Sequence, residues 1–197
     1  MKKLFFAVIL TAITMTSMNA QKFGAKLGLN IATLSGDVTN TKMKMGANIG
    51  AVAEFEITEQ FTFQPELVFS MQGTKYDNGD SIEGLGGLDD PRLKLTYINV
   101  PLMAKYYVTE SLSLQAGPQV GFLMSANSAG FAGGDDVDVK DNMNSFDYGV
   151  NFGAGYMMDF GLFIDARYNL GLANTADSDD YTVKNNVISV SVGYFFN

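Results

Sequence analysis

Beyond residue 20 this chain alternates apolar and polar residues one by one, stretch after stretch, and a period of two belongs to half-buried strands rather than to helices. In the first stretch Phe23, Ala25, Leu27, Leu29 and Ile31 share one side, with Gly24, Lys26, Gly28 and Asn30 on the other. A second sets Ala47, Ile49, Ala51, Ala53, Phe55 and Ile57 against Asn48, Gly50, Glu54 and Glu56. A third sets Phe61, Phe63, Leu67, Phe69 and Met71 against Thr62, Gln64, Glu66, Ser70 and Gln72. The pattern returns around residues 112–125, 147–158, 162–172 and 188–196. The remaining stretch, within 93–108, changes parity: Ile98, Val100, Leu102, Ala104, Tyr106 and Val108 share a face that excludes Leu93 and Leu95. One extra residue swaps the faces of a strand, so a bulge or a loop end is predicted near Tyr97.

The connections alternate as well. Thr58-Glu59-Gln60, Thr109-Glu110-Ser111 and Met158-Asp159-Phe160-Gly161 are short, whereas residues 34–45, 73–92, 126–144 and 173–185 are long and polar. Short and long connections in turn suit an up-and-down meander of eight strands with both chain ends on the short-turn side. A weak internal repeat, Ile57 to Gln64 against Val108 to Gln115, marks the same hairpin twice.

The first residues read differently. Lys2 and Lys3 precede an apolar run from Leu4 to Met15, too short to span a bilayer as a helix, and Ser17-Met18-Asn19-Ala20 follows. This predicts a signal peptide over 1–20 and one domain over 21–197. Without Lys2 and Lys3 the 13 Lys and Arg become 11, against 21 Asp and Glu, a formal charge of −10. So acidic a chain excludes a general nucleic-acid binder. With no Cys there is no disulfide framework, and a core or a bilayer must supply the stability. The absence of His and Cys also removes Ser-His-Asp and Cys-His catalysis and His-ligated metals, and the acids are too numerous for one pair to stand out. No enzyme, metal or cofactor is expected.

Alternation suits a soluble barrel around an apolar ligand as well as a membrane barrel, and the chemistry of the faces separates them. One face is continuously Phe, Tyr, Leu, Val and Ile. The other carries charge in mid-strand at Lys26, Glu54, Glu56, Glu66, Lys105, Asp165 and Arg167. Phe55, Phe61, Phe63, Tyr106, Tyr156, Tyr194 and Phe196 all fall near short turns or the C-terminus on the apolar face, the placement of an aromatic girdle at a membrane interface. The expected fold is therefore all-β, a closed antiparallel eight-stranded transmembrane β-barrel, apolar toward lipid and polar toward its lumen.

Its last strand ends Val192-Gly193-Tyr194-Phe195-Phe196-Asn197, similar to the aromatic-ended signal that outer-membrane assembly machinery recognises. With Phe23-Gly24-Ala25-Lys26-Leu27-Gly28-Leu29-Asn30, Tyr97-Ile98-Asn99-Val100-Pro101-Leu102-Met103-Ala104-Lys105-Tyr106 and Ala116-Gly117-Pro118, it resembles the outer-membrane β-barrel domain family (porin family, PorT-like) over nearly all of 21–197. The resemblance implies the outer membrane of a Gram-negative cell, with lipid, lipopolysaccharide and the assembly machinery as partners, and a monomer is expected.

Eight strands leave an interior that side chains can fill. The seven inward charges are then expected to form a lumen ionic network, with Arg167 binding carboxylates among Glu54, Glu56 and Glu66. The leading functional reading is a plugged structural barrel that meets its surroundings through long acidic loops. Alternatives are a narrow passive or gated pore for small solutes, and a secreted soluble barrel binding an apolar ligand. The outer loops hold Asp77, Asp80, Glu83, Asp89 and Asp90, then Asp135, Asp136, Asp138 and Asp141, then Asp177, Asp179 and Asp180, none matching a calcium loop. The first loop is instead basic, at Lys42 and Lys44, which suits neighbouring lipopolysaccharide phosphates.

Overall fold

The computed structural model describes residues 21–38, 41–76, 92–129, 136–176 and 182–196. The signal-peptide region, and the acids at 77–90, 135 and 177–180, lie outside them. The strands are β1 (Gln21–Gly36), β2 (Thr41–Glu56), β3 (Phe61–Tyr76), β4 (Arg92–Tyr107), β5 (Leu112–Ala129), β6 (Val137–Asp138), β7 (Phe146–Met157), β8 (Leu162–Gly171) and β9 (Val183–Phe196). Leaving aside the two-residue β6, each strand pairs antiparallel with its neighbours in sequence, and β1 pairs with β9. That last pairing closes an eight-stranded barrel with no free edge. No helix among the described residues is long and apolar enough to cross a membrane; the chain crosses with strands.

The barrel is inside out relative to a soluble one. Leu27 is 61% exposed, Ile49 60% and Leu114 56%, while Lys26, Glu66 and Arg167 are 4–6% exposed. Apolar side chains on the outside and buried charges within rule out the soluble carrier of an apolar ligand. Phe61, Phe63, Tyr106, Tyr156, Tyr194 and Phe196 all face outward at the short-turn end. Along β3 the outward band runs from Phe61 to Met71. At ~3.3 Å per residue and a tilt of ~40°, those ten steps rise ~25 Å, the height of the apolar band in outer-membrane barrels.

The sequence repeat has a physical cause at two of the short turns. Thr58 Oγ1 accepts the amide of Phe61 at 3.0 Å, and Thr109 Oγ1 accepts that of Leu112 at 3.0 Å. In both turns the first residue, Ile57 or Val108, donates its amide to the carbonyl of the same strand-opening residue. The third turn lacks the Thr and instead uses Gly161 at φ +89, a conformation that favours glycine.

Two expectations are corrected. The strands run further outward than the loops suggested, so Lys42 and Lys44 belong to β2 rather than to a loop. In β4 the alternation is continuous, because Leu93, Leu95, Tyr97 and Asn99 are all buried while Ile98 and Val100 are not. The irregularity near Tyr97 is real, but its extra residue is on β5: Thr96 faces Ser125 and Tyr97 faces Leu123, which leaves Met124 unpaired. The parity change in sequence reflects apolar residues turning inward at the long-loop end, not a change of face.

Mid-barrel Val190 is 52% exposed on β9 and Ser189 faces the interior. Val190→Arg should cost about 2–4 kcal/mol at membrane depth, whereas Ser189→Thr should be close to neutral. Urea titration of the protein folded into liposomes measures both; equal midpoints would place the wrong face toward lipid.

Candidate functional site

Between its two ends the lumen is filled by side chains in three kinds of layer. At the long-loop end Leu34, Leu93, Leu95, Tyr97, Leu123, Ala126, Ala176 and Val183 form an apolar cluster, with Val38, Val139 and Met143 packed against it. Met143 bridges to Ala176, and Asn144 Nδ2 donates to the carbonyls of Asn174 and Ala176, so the two outer segments are tied over this cluster. At the short-turn end Val52, Phe163 and Phe195 pack together, the two rings 4.8 Å apart.

Between them lies a charged layer. Arg167 on β8 forks between two acids: its Nη1 is 2.7 Å from Glu66 Oε1 and its Nη2 2.9 Å from Asp165 Oδ2. Its Nε donates to Gln115 Oε1 at 2.9 Å. Lys26 from β1 contacts the other oxygen of Glu66 at 2.5 Å. Gln64 then links the two halves, donating to Glu66 Oε1 at 2.7 Å and accepting from Lys105 Nζ at 3.1 Å. Lys105 holds Glu54 at 2.7 Å, and Tyr107 donates to the same Glu54 oxygen at 3.3 Å. The three deeply buried cations Lys26, Lys105 and Arg167 thus meet the three acids Glu54, Glu66 and Asp165, and their formal charges cancel. Buried charge without such pairing and hydrogen bonding is heavily penalised.

Glu56 is not part of this layer. It stands at the end of β2, exposed, where the strand has left the packed interior, and lines an open mouth of about 350 Å³ with Lys22, Glu59 and Glu110. Arg167 takes neither Glu54 nor Glu56; its second carboxylate is Asp165, two residues away on its own strand.

Above the charged layer the filling is uncharged and polar. Asn30 Nδ2 donates to Ser70 Oγ at 2.9 Å, Asn48 Nδ2 to Asn30 Oδ1 at 2.7 Å, and Asn169 Nδ2 to Asn151 Oδ1 at 3.3 Å. A cavity of about 40 Å³ lies among Asn30, Asn48, Asn99, Arg167 and Ser189. Room for long side chains comes from inward glycines. A Cβ on Gly153 would lie 2.7 Å from Arg167 Cγ, and one on Gly155 2.6 Å from Asp165 Oδ1. One on Gly193 would lie 2.2 Å from the Phe163 ring. The sequence puts these glycines on the polar face, but their pairing with particular large residues follows from the register across β7, β8 and β9.

The outer membrane protein β-barrel domain model matches residues 17–177. No curated protein sequence matches the chain. Among solved structures, Neisserial surface protein A shares 15% identity and a TM-score of 0.62, covering 90% of this chain and 100% of its own. The attachment invasion locus protein of Yersinia pestis shares 17% identity and a TM-score of 0.50, covering 91% of this chain and 100% of its own. A second structure of that protein, in complex with the heparin analogue sucrose octasulfate, has a TM-score of 0.51 at 16% identity, covering 89% of this chain and 99% of its own. At such identities these likenesses speak for the fold.

Replacing Arg167 with Met removes the fork and leaves Asp165 and part of Glu66 without a cation. Breaking a buried pair from one side costs roughly 3–5 kcal/mol. Arg167→Met should therefore lower the urea midpoint of the folded barrel, and Gly153→Val should do the same by displacing the Arg167 stem. An Arg167→Met midpoint equal to wild type would show that the charged layer does not hold the barrel together.

Proposed function

Because the chain belongs to the outer membrane protein β-barrel domain family and resides in the cell outer membrane, we propose that it is a closed, non-enzymatic surface barrel, whose interior is a structural plug and whose long acidic outer loops make its contacts. The observation that carries this reading is the filled lumen. A charge-balanced network runs from Glu54 to Arg167, and an apolar cluster is packed over it at the long-loop end. A solute path would have to break buried ion pairs and part the outer cluster as well.

The non-enzymatic reading is supported by the lack of His and Cys, the usual general base and the strongest side-chain nucleophile. Among the described residues no group of His, Cys, Asp and Glu is arranged to hold a metal ion. The contact role is supported by the outer ends, which carry Asp136, Asp138 and Asp141 at the surface beside the other loop acids of the sequence.

One observation favours a gated pore as the second reading: the cavity of about 40 Å³ beside Arg167, room for about one water among polar groups. Conductance separates the two. The wild-type chain, reconstituted in a planar bilayer and checked for folding by its heat-dependent gel mobility, should give no unitary steps. Steady steps from the folded protein would overturn the plug and establish the pore.

A further inference from the structure

One buried acid takes no part in the charged layer. Asp147, on β7, is 9% exposed and alternates with the outward Phe146 and Tyr148. It lies as many steps from Met157, the lower end of β7, as Met71 lies from Phe61 on β3, which puts it at the upper edge of the apolar band. A Cβ on Gly121 would meet Asn99 Oδ1 at 2.6 Å, Asp147 Cβ at 3.5 Å and Tyr97 Cδ1 at 3.5 Å, so three side chains converge on the space that this glycine leaves. Tyr97 belongs to the apolar cluster that caps the long-loop end, and Asn99 lines the cavity of about 40 Å³ beside Arg167. Asp147 therefore stands at the joint between the cap and the polar filling.

Nothing there balances a charge. Lys26, Lys105 and Arg167 are committed to Glu54, Glu66 and Asp165, and among the described residues no cation pairs with Asp147. Its Oδ1 has no hydrogen-bond partner, and neither has Tyr97 Oη, whose residue is fully buried. Tyr97, on β4, is the titratable group within electrostatic reach of Asp147. From β5 the acid meets Gly121, and on its own strand the amide of Tyr148. The segment Leu172 to Ala176, whose first two amides bond the Tyr148 carbonyl, holds no titratable residue. A carboxyl in such surroundings is accommodated when neutral, whereas its ionised form calls for water or a cation.

We propose that Asp147 is a proton-operated latch of the outer cap: neutral, it lets Tyr97 and its apolar neighbours seal the long-loop end; ionised, it draws water in and loosens that seal. Water that enters to hydrate the carboxylate also reaches the unpartnered Tyr97 Oη, so one event satisfies two buried polar groups and wedges the cluster from below. The seal is complete at acid pH and is lost as pH rises through the titration of Asp147. The latch rests on the plug reading above and gives that plug a response to pH.

The chain has no Cys, so a single introduced thiol can report the cap. Ala126→Cys places it inside the cluster, at a fully buried position, and Asn142→Cys places it at the exposed surface of the same outer segment. Each folded full chain in nanodiscs is labelled with a water-soluble maleimide at acid and at mildly alkaline pH, with heat-dependent mobility as the check on folding. Dividing the buried rate by the exposed rate removes the pH dependence of the reagent. With Asp147 present the ratio should rise by about tenfold toward alkaline pH. Asp147→Asn, which keeps the shape and removes the charge, should hold the ratio at its acid value throughout, and Asp147→Glu should retain the rise. Asp147→Ser serves if Asp147→Asn does not fold.

A ratio that does not change with pH, or one that rises equally with Asp147 and with Asn in its place, would overturn the latch. A rise abolished by Tyr97→Phe but kept by Asp147→Asn would overturn it too, assigning the response to the Tyr97 hydroxyl. Planar-bilayer conductance reads the plug separately. A silent bilayer with a ratio that follows Asp147 supports plug and latch together. Unitary steps from a chain whose ratio still follows Asp147 would overturn the plug and leave Asp147 as the control of the opening.

Discussion

Hydrocarbon offers no hydrogen-bond partner to a peptide group, and that constraint shapes everything else in this molecule. With no helix among the described residues long and apolar enough to cross, the crossing is made by strands whose every N–H and C=O is paired within the sheet, which requires the first strand to meet the last. The β1–β9 ladder, running from Phe23 opposite Phe196 to Gly36 opposite Val183, is that closure. Once the cylinder is closed with eight strands its radius is fixed, and the interior becomes too narrow to remain a water column. What fills it must then alternate with what faces lipid, one residue at a time.

The filling is solved by size as well as by charge. Long side chains such as Arg167, Phe163 and Gln115 lie where neighbouring strands present glycine, and a Cβ at Gly153, Gly155 or Gly193 would collide with them. The charged layer sits beneath uncharged amides and an apolar outer cluster, which separates the salt bridges from bulk water on the long-loop side and leaves beside Arg167 only a cavity of about 40 Å³. Desolvation makes those pairs expensive to create and equally expensive to break from one side. Three cations against three acids, each contact between 2.5 and 2.9 Å, leave the layer with no net charge to attract a passing ion.

Period-two alternation made the strands, their outward faces, the short turns and the inward charges legible in sequence, because a strand's two faces are a local property. Partner choice is not local. Glu54, Glu56 and Glu66 share one parity, and only the length of β2 shows that Glu56 has passed beyond the packed interior into the open mouth. Asp165 was visible as an inward acid, yet its contact with Arg167 on the same strand was not anticipated. Inward Leu93, Leu95 and Tyr97 broke the simple rule that apolar means outward, because the barrel rises above the membrane there and an apolar cluster can close it under the loops. The bulge near Tyr97 left a signal in β4, but its extra residue belongs to the partner strand.

The charged interior also bears on which register the strands adopt. Lumen and lipid differ by one residue, so slipping β8 by one position would turn Asp165 and Arg167 outward and send Ile164, Ala166 and Tyr168 inward. Each charge delivered to mid-membrane costs up to about 2–4 kcal/mol, and each partner left behind inside is an uncompensated buried ion. An apolar plug would lack this penalty, since apolar side chains are tolerated on both sides of a strand. The ionic layer therefore discriminates against the neighbouring registers more strongly than it adds to the stability of the correct one. It does so on β1, β2, β3, β4 and β8 together, because its members come from all five strands. A plug made of ion pairs is thus a device for specifying one closed cylinder from a sequence whose outer face, almost uniformly apolar, cannot tell one register from the next.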